Sequence, residues 1–86
     1  MPEISRFLGI IIAMFYNEHN PPRFHARYGD HKVEIAIETL SVLAGKLPPR
    51  AMGLVIEWAS RHQEELMEDW NLARQSVALK SIEPLE

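Results

Sequence analysis

The chain has no cysteine among its 86 residues, which excludes disulfide staples, thiolate metal sites and a thiol nucleophile together. It also lacks a long apolar run. The stretch Ile10 to Phe15 falls far short of the ~20 residues a membrane-spanning helix needs, and no basic region ahead of it makes an export signal. A cytoplasmic protein with no membrane partner is therefore expected. Neither charge sign dominates: nine Lys and Arg stand against twelve Asp and Glu, a net charge of −3. Non-specific DNA binding needs a broad basic surface, and this total argues against one. The chain contains no P-loop, dinucleotide fingerprint, nucleophile elbow or zincin helix, so no cofactor and no metal are expected.

What is present suits one small folded unit. A hydrophobic content of 47% supplies a single core at this length and no second one. Residues 1–86 are accordingly expected to form one domain, with 77–86, which lack periodicity and contain Pro84, as an extended tail.

The most informative local pattern is Phe24–Tyr28, Gly29-Asp30, His31–Ile37. A Gly-X pair between two alternating runs is the signal of a two-residue hairpin, type II′ or I′. That turn sets Tyr28 opposite His31, Arg27 opposite Lys32, Ala26 opposite Val33, His25 opposite Glu34, Phe24 opposite Ile35 and Arg23 opposite Ala36. A side-chain period of two then sorts the faces. Phe24, Ala26, Tyr28, Val33, Ile35 and Ile37 share a core side; Arg23, His25, Arg27, Lys32, Glu34 and Ala36 share the other.

Upstream, a short strand is expected around Ile4 to Phe7. Gly9 to Tyr16 is apolar on both alternations, as in a strand covered on both faces. Residues 17–22 read as a loop, whose Pro21-Pro22 leads to an edge-accessible strand. Downstream, Leu40 to Ala44 makes a further strand. Pro48-Pro49 opens a helix by proline geometry rather than by a side-chain cap. Ala51, Leu54, Val55, Trp58, Ala59, His62, Leu66, Trp70 and Ala73 recur at helical spacing. One helix from Arg50 to about Ser76 is expected, with two helices broken around Arg61 to Glu64 as the alternative. Trp58 and Trp70 read as packing residues, and Glu64, Glu65, Glu68 and Asp69 as a solvated acidic cluster. The fold class is α+β: a mostly antiparallel N-terminal sheet of three or four strands against one long C-terminal helix or two.

Three uses of the polar hairpin face are open. His25 opposite Glu34 is the candidate catalytic pair, since a carboxylate beside an imidazole suits a general acid or base. Arg23, His25, Arg27 and Lys32 are candidates to contact RNA phosphates or a protein partner. A metal site would draw on His19, His25 and Glu34, but their spacing matches no recognised motif.

The stretch His19-Asn20-Pro21-Pro22-Arg23-Phe24-His25-Ala26 resembles the hallmark of a bacterial small-protein family, the domain of unknown function numbered four-one-six-zero. The likeness extends through Met1–Phe7, Gly45–Pro48, Glu57–Ala59, Asn71–Arg74 and Ile82–Leu85. The family pattern carries a second histidine where this chain has Arg23, a departure that tells against metal ligation and for anion contact. The resemblance implies a companion, a second small protein encoded alongside, and one component of a toxin–antitoxin-like pair. It supplies no catalytic residues. The expected function is thus interaction, with RNA or a protein partner on the outer face of the 23–36 hairpin. The alternatives are a small RNA-cleaving enzyme using His25 and a homodimeric structural protein.

Overall fold

A computed structural model describes residues 2–85. Five strands come first: β1 (Glu3–Phe7), β2 (Ile10–Ala13), β3 (Arg23–Tyr28), β4 (His31–Ala36) and β5 (Val42–Lys46). Two helices follow, α1 (Pro49–Ser60) and α2 (Gln63–Arg74). The strands pair in sequence order as one antiparallel sheet, and the fold is α+β. The sheet exceeds the expected three or four strands because the short N-terminal segment joins it fully.

The β3–β4 register is the one the Gly29-Asp30 turn demands, pair for pair from Tyr28–His31 to Arg23–Ala36. Gly29 takes a positive φ of 59° and Asp30 does not, the sign pattern of a type II′ turn. β3 is the middle strand, not an edge. Pro21 and Pro22 precede the ladder instead of sitting in it, so their missing N–H groups break no strand pairing. A second hairpin joins β1 to β2 through Leu8 and Gly9, both at positive φ (50° and 82°). Two such residues make a type I′ turn, which normally favours Asn-Gly; Leu8 hides the signal. β5 begins two residues later than expected, because Leu40 turns at φ 60°. Its Gly45 (φ 75°) passes so close to β4 that a Cβ there would lie 2.2 Å from the Lys32 carbonyl oxygen.

The helices cover one face of this sheet. Phe7, Ile10, Ile12, Phe24, Ala26, Val33 and Ile35 point into the core with Val55, Trp58, Leu66 and Trp70. Trp58 is fully buried and meets Phe7 and Phe24 at ring-centroid distances of 5.5 and 6.0 Å. Tyr28 shares this side but lies at its rim, 39% exposed. Burial of these side chains, at ~25 cal/mol per Å² of apolar surface, is the main force holding the layers together.

The helical stretch breaks at Arg61-His62, the second of the two expected arrangements. At 1.5 Å per residue a continuous helix over both segments would run about 39 Å, beyond the longest dimension of the molecule, 34 Å. The break lets α2 turn back so that Trp58 and Trp70 both reach the core. Locally it is stabilised from both sides. Arg61 and His62 donate to the Trp58 and Ala59 carbonyls. Glu64 and Glu65 sit in the first turn of α2, where the helix dipole favours negative charge. The Gln63 amide donates to the Ile37 carbonyl at 2.8 Å, tying α2 to the end of β4.

Asp69 departs from the expected solvated cluster, being 1% exposed. Its Oδ1 accepts the Lys80 N–H at 2.9 Å. Residues 77–85 have no regular secondary structure, yet they are docked. Ile82 donates to the Ile4 carbonyl on β1 at 2.8 Å, and the Glu83 carbonyl accepts the Trp58 indole N–H at 2.8 Å. No helix among the described residues is long and apolar enough to cross a membrane.

Candidate functional site

The sheet face turned away from the helices holds the polar side chains of the hairpin. Register alone assembles its first row: Arg6 opposite Ile11, Ile11 opposite Arg27, Arg27 opposite Lys32, and Lys32 opposite Lys46. Side chains directly opposite on neighbouring strands point the same way, so this row crosses all five strands on one side. Arg6 is paired with Glu3 at 2.8 Å. Among the described residues, Arg27, Lys32 and Lys46 have no carboxylate within salt-bridge distance. They form a cationic strip over β3, β4 and β5. Lys46 is not among the residues that the sequence marks for this face, because only the β4–β5 register brings it beside Lys32.

The second row holds Ala13, His25, Glu34 and Ala44. His25 and Glu34 are opposite each other as expected, but they are not each other's hydrogen-bond partners. His25 Nε2 meets Glu18 Oε1 at 2.6 Å, while Glu34 Oε1 accepts Arg23 Nη1 at 2.9 Å. The reason lies in the loop between β2 and β3. It leaves β2 at Ala13, turns at Asn17 (φ 64°) and folds back over the open face, carrying Phe15 and Glu18 onto β3. The Phe15 ring meets the His25 imidazole edge-on, centroid to centroid 4.4 Å, which fixes the plane of the imidazole. Loop geometry of this kind has no periodic signature, so nothing in the sequence marks Glu18 as the partner of His25.

Arg23 is held from two sides. Besides Glu34, its Nε donates to the Pro21 carbonyl at 3.3 Å and Nη2 to the Asn20 carbonyl at 3.4 Å. This guanidinium is occupied by its own chain, unlike Arg27 and Lys32. His19 is exposed on the loop and stays outside the Glu18–His25–Glu34 group. His31 lies beside the hairpin turn, opposite Tyr28. A cavity of about 80 Å³ opens on the face, walled by Phe15, His25, Arg27 and Lys32 over Ile11 and Ala13. It is too small for a nucleotide but accepts a single side chain or a small anion.

Chemically, the face offers a cationic strip beside a half-buried cluster of one imidazole and two carboxylates. No curated protein and no solved structure matches the chain. Residues 9–71, which run from β2 into the last turn of α2 and include Glu18, His25, Arg27, Lys32, Glu34 and Lys46, match the family model described as Domain of unknown function (DUF4160), and the chain belongs to that family.

Proposed function

We propose that the protein is an interaction module whose working surface is the open sheet face, and that this face receives an acidic surface of a second small protein in a two-protein, toxin–antitoxin-like pair. The observation that carries this reading is the Arg27–Lys32–Lys46 strip. Three adjacent cations with no carboxylate partner among the described residues repel one another, and an acidic partner relieves that repulsion. Ile11 and the cavity beside Phe15 add apolar surface next to the strip, as interface centres do.

RNA fits this face less well. Single-strand binding combines phosphate contacts with exposed rings on which bases stack. Here Phe15 is half-buried against His25, and Tyr28 belongs to the helix side of the sheet.

The test is co-expression of the chain with the product of the adjacent open reading frame. Capture of that product should be lost in the triple variant Arg27→Glu, Lys32→Glu, Lys46→Glu and should weaken with salt, while circular dichroism stays unchanged. Full capture by the triple variant would remove the strip from the argument. Binding of an RNA oligonucleotide that the triple variant abolishes would instead favour the nucleic-acid reading.

One observation favours a second reading. His25 held by Glu18 at 2.6 Å is an oriented imidazole beside Arg27 and Lys32, the parts of an acid–base ribonuclease in which the substrate's own 2′-hydroxyl is the nucleophile. It requires that His25→Ala abolish RNA cleavage and growth arrest with the fold intact.

A further inference from the structure

We propose that Glu18, His25 and Glu34 form a binding site for one divalent transition-metal ion, with zinc as the ion the donor set suits best. These three side chains each offer a ligand atom, and the three atoms lie within 4.8 Å of one another. They arrive from three separate segments: the β2–β3 loop, β3 and β4. All three are half-buried, with side-chain exposures of 21%, 22% and 31% for Glu18, His25 and Glu34.

The surroundings are those of a ligand set and not of a loose polar patch. The perpendicular contact with Phe15 sets the plane of the His25 ring and aims Nε2 at Glu18. The bond from Arg23 to Glu34 orients that carboxylate from behind, the role outer-shell donors play around metal ligands. Arg23 therefore contributes by positioning a ligand, which gives a use to a guanidinium otherwise buried in its own loop.

Donor chemistry selects the ion. One imidazole and two carboxylates bring two negative charges to a divalent ion, one of them already facing the Arg23 guanidinium. This nitrogen and oxygen mixture suits zinc, with a water completing four-coordination. Zinc ligands sit ~2.0–2.2 Å from the ion. Tetrahedral donors are then about 3.3–3.6 Å apart, so Glu18 must retreat from its 2.6 Å contact with His25 by about 1 Å. Glu18 is on a loop and can move by that amount without disturbing a strand. The site holds whether or not the cationic strip binds a partner.

The experiment is calorimetric titration of the tag-free full chain with Zn²⁺, with Co²⁺ absorption as the spectroscopic probe. One saturable equivalent is expected, with visible Co²⁺ bands showing nitrogen and oxygen ligation. Glu18→Gln and His25→Gln should each weaken binding at least tenfold, and Glu34→Gln likewise. His19→Ala and His31→Ala should leave it unchanged. Glu18→Gln serves as the decisive variant, since its loop position spares the sheet and circular dichroism checks the fold. Absence of saturable binding to either ion overturns the proposal. So does binding that survives Glu18→Gln and His25→Gln, or that is lost on His19→Ala, which would mark adventitious ligation by surface histidine.

Discussion

His25 and Glu34 face each other across adjacent strands, yet the imidazole bonds Glu18 at 2.6 Å and the carboxylate bonds Arg23 at 2.9 Å. Cross-strand adjacency brings two side chains within reach, but a competing partner with better geometry takes each of them. A double-mutant cycle in metal-free buffer separates the pairs. Glu18→Ala with His25→Ala is expected to show a coupling of about 1.5–3 kcal/mol, the range for a hydrogen bond to a charged group. Glu34→Ala with His25→Ala should show a clearly smaller one. Equal couplings in urea unfolding would mean that the loop does not hold Glu18 on His25.

The Leu8-Gly9 turn stores a removable cost. Leu8 has a φ of 50° and is 56% exposed, so its side chain gains little by burial while its backbone occupies a region disfavoured for branched residues. Leu8→Asn creates the preferred type I′ pair and should stabilise the fold by about 0.5–1 kcal/mol. A urea midpoint at or below that of the parent chain would show that Leu8 earns its place by contacts outside this turn.

Burial raises the Asp69 carboxyl above the ordinary aspartate range, and the Lys80 N–H lowers it by less. A folded-state pKa above the unfolded value means that the native state holds its proton more tightly. The stability contributed by protonated Asp69 is present in full below the unfolded pKa and is lost as pH rises through the raised folded one. Its Oδ2 has no hydrogen-bond partner among the described residues, so the charged form is poorly compensated at neutral pH. Asp69→Asn keeps an acceptor for Lys80 and should raise the melting temperature by several degrees at pH 7. The difference should shrink toward pH 4. A melting temperature lowered at pH 7 would sink this account.

Trp58 anchors the tail as well as the core. Trp58→Ala should cost about 3–5 kcal/mol, as large-to-small changes at fully buried aromatic positions do. Trp58→Phe keeps much of the packing but removes the bond to the Glu83 carbonyl, at about 1–2 kcal/mol. In that variant, hydrogen exchange should quicken at Ile82, whose N–H bonds Ile4, before it quickens in the sheet. Uniform quickening over the whole chain would show that the tail is not a separately released element.

Strand pairing inside the β3–β4 hairpin is legible from residues because everything that sets it is local. Gly29-Asp30 fixes the turn, and a period of two then assigns each side chain to a face without reference to the rest of the molecule. The proline start of α1 and the apolar stripe through Trp58 and Trp70 are legible for the same reason: both depend on neighbours within a turn or two. Where longer-range packing takes over, pattern reading loses its grip. Lys46 joins Arg27 and Lys32 only through the β4–β5 register. Arg23 turns to its own loop, Glu18 reaches His25 through a non-periodic path, and Asp69 sinks beneath Lys80 despite acidic neighbours in sequence. Local chemistry by itself determined which residues could share a face. Only the tertiary structure decided which of them meet, because the course of a loop and the docking of a tail depend on the packed surfaces they cross, and those exist only once the sheet and helices have come together.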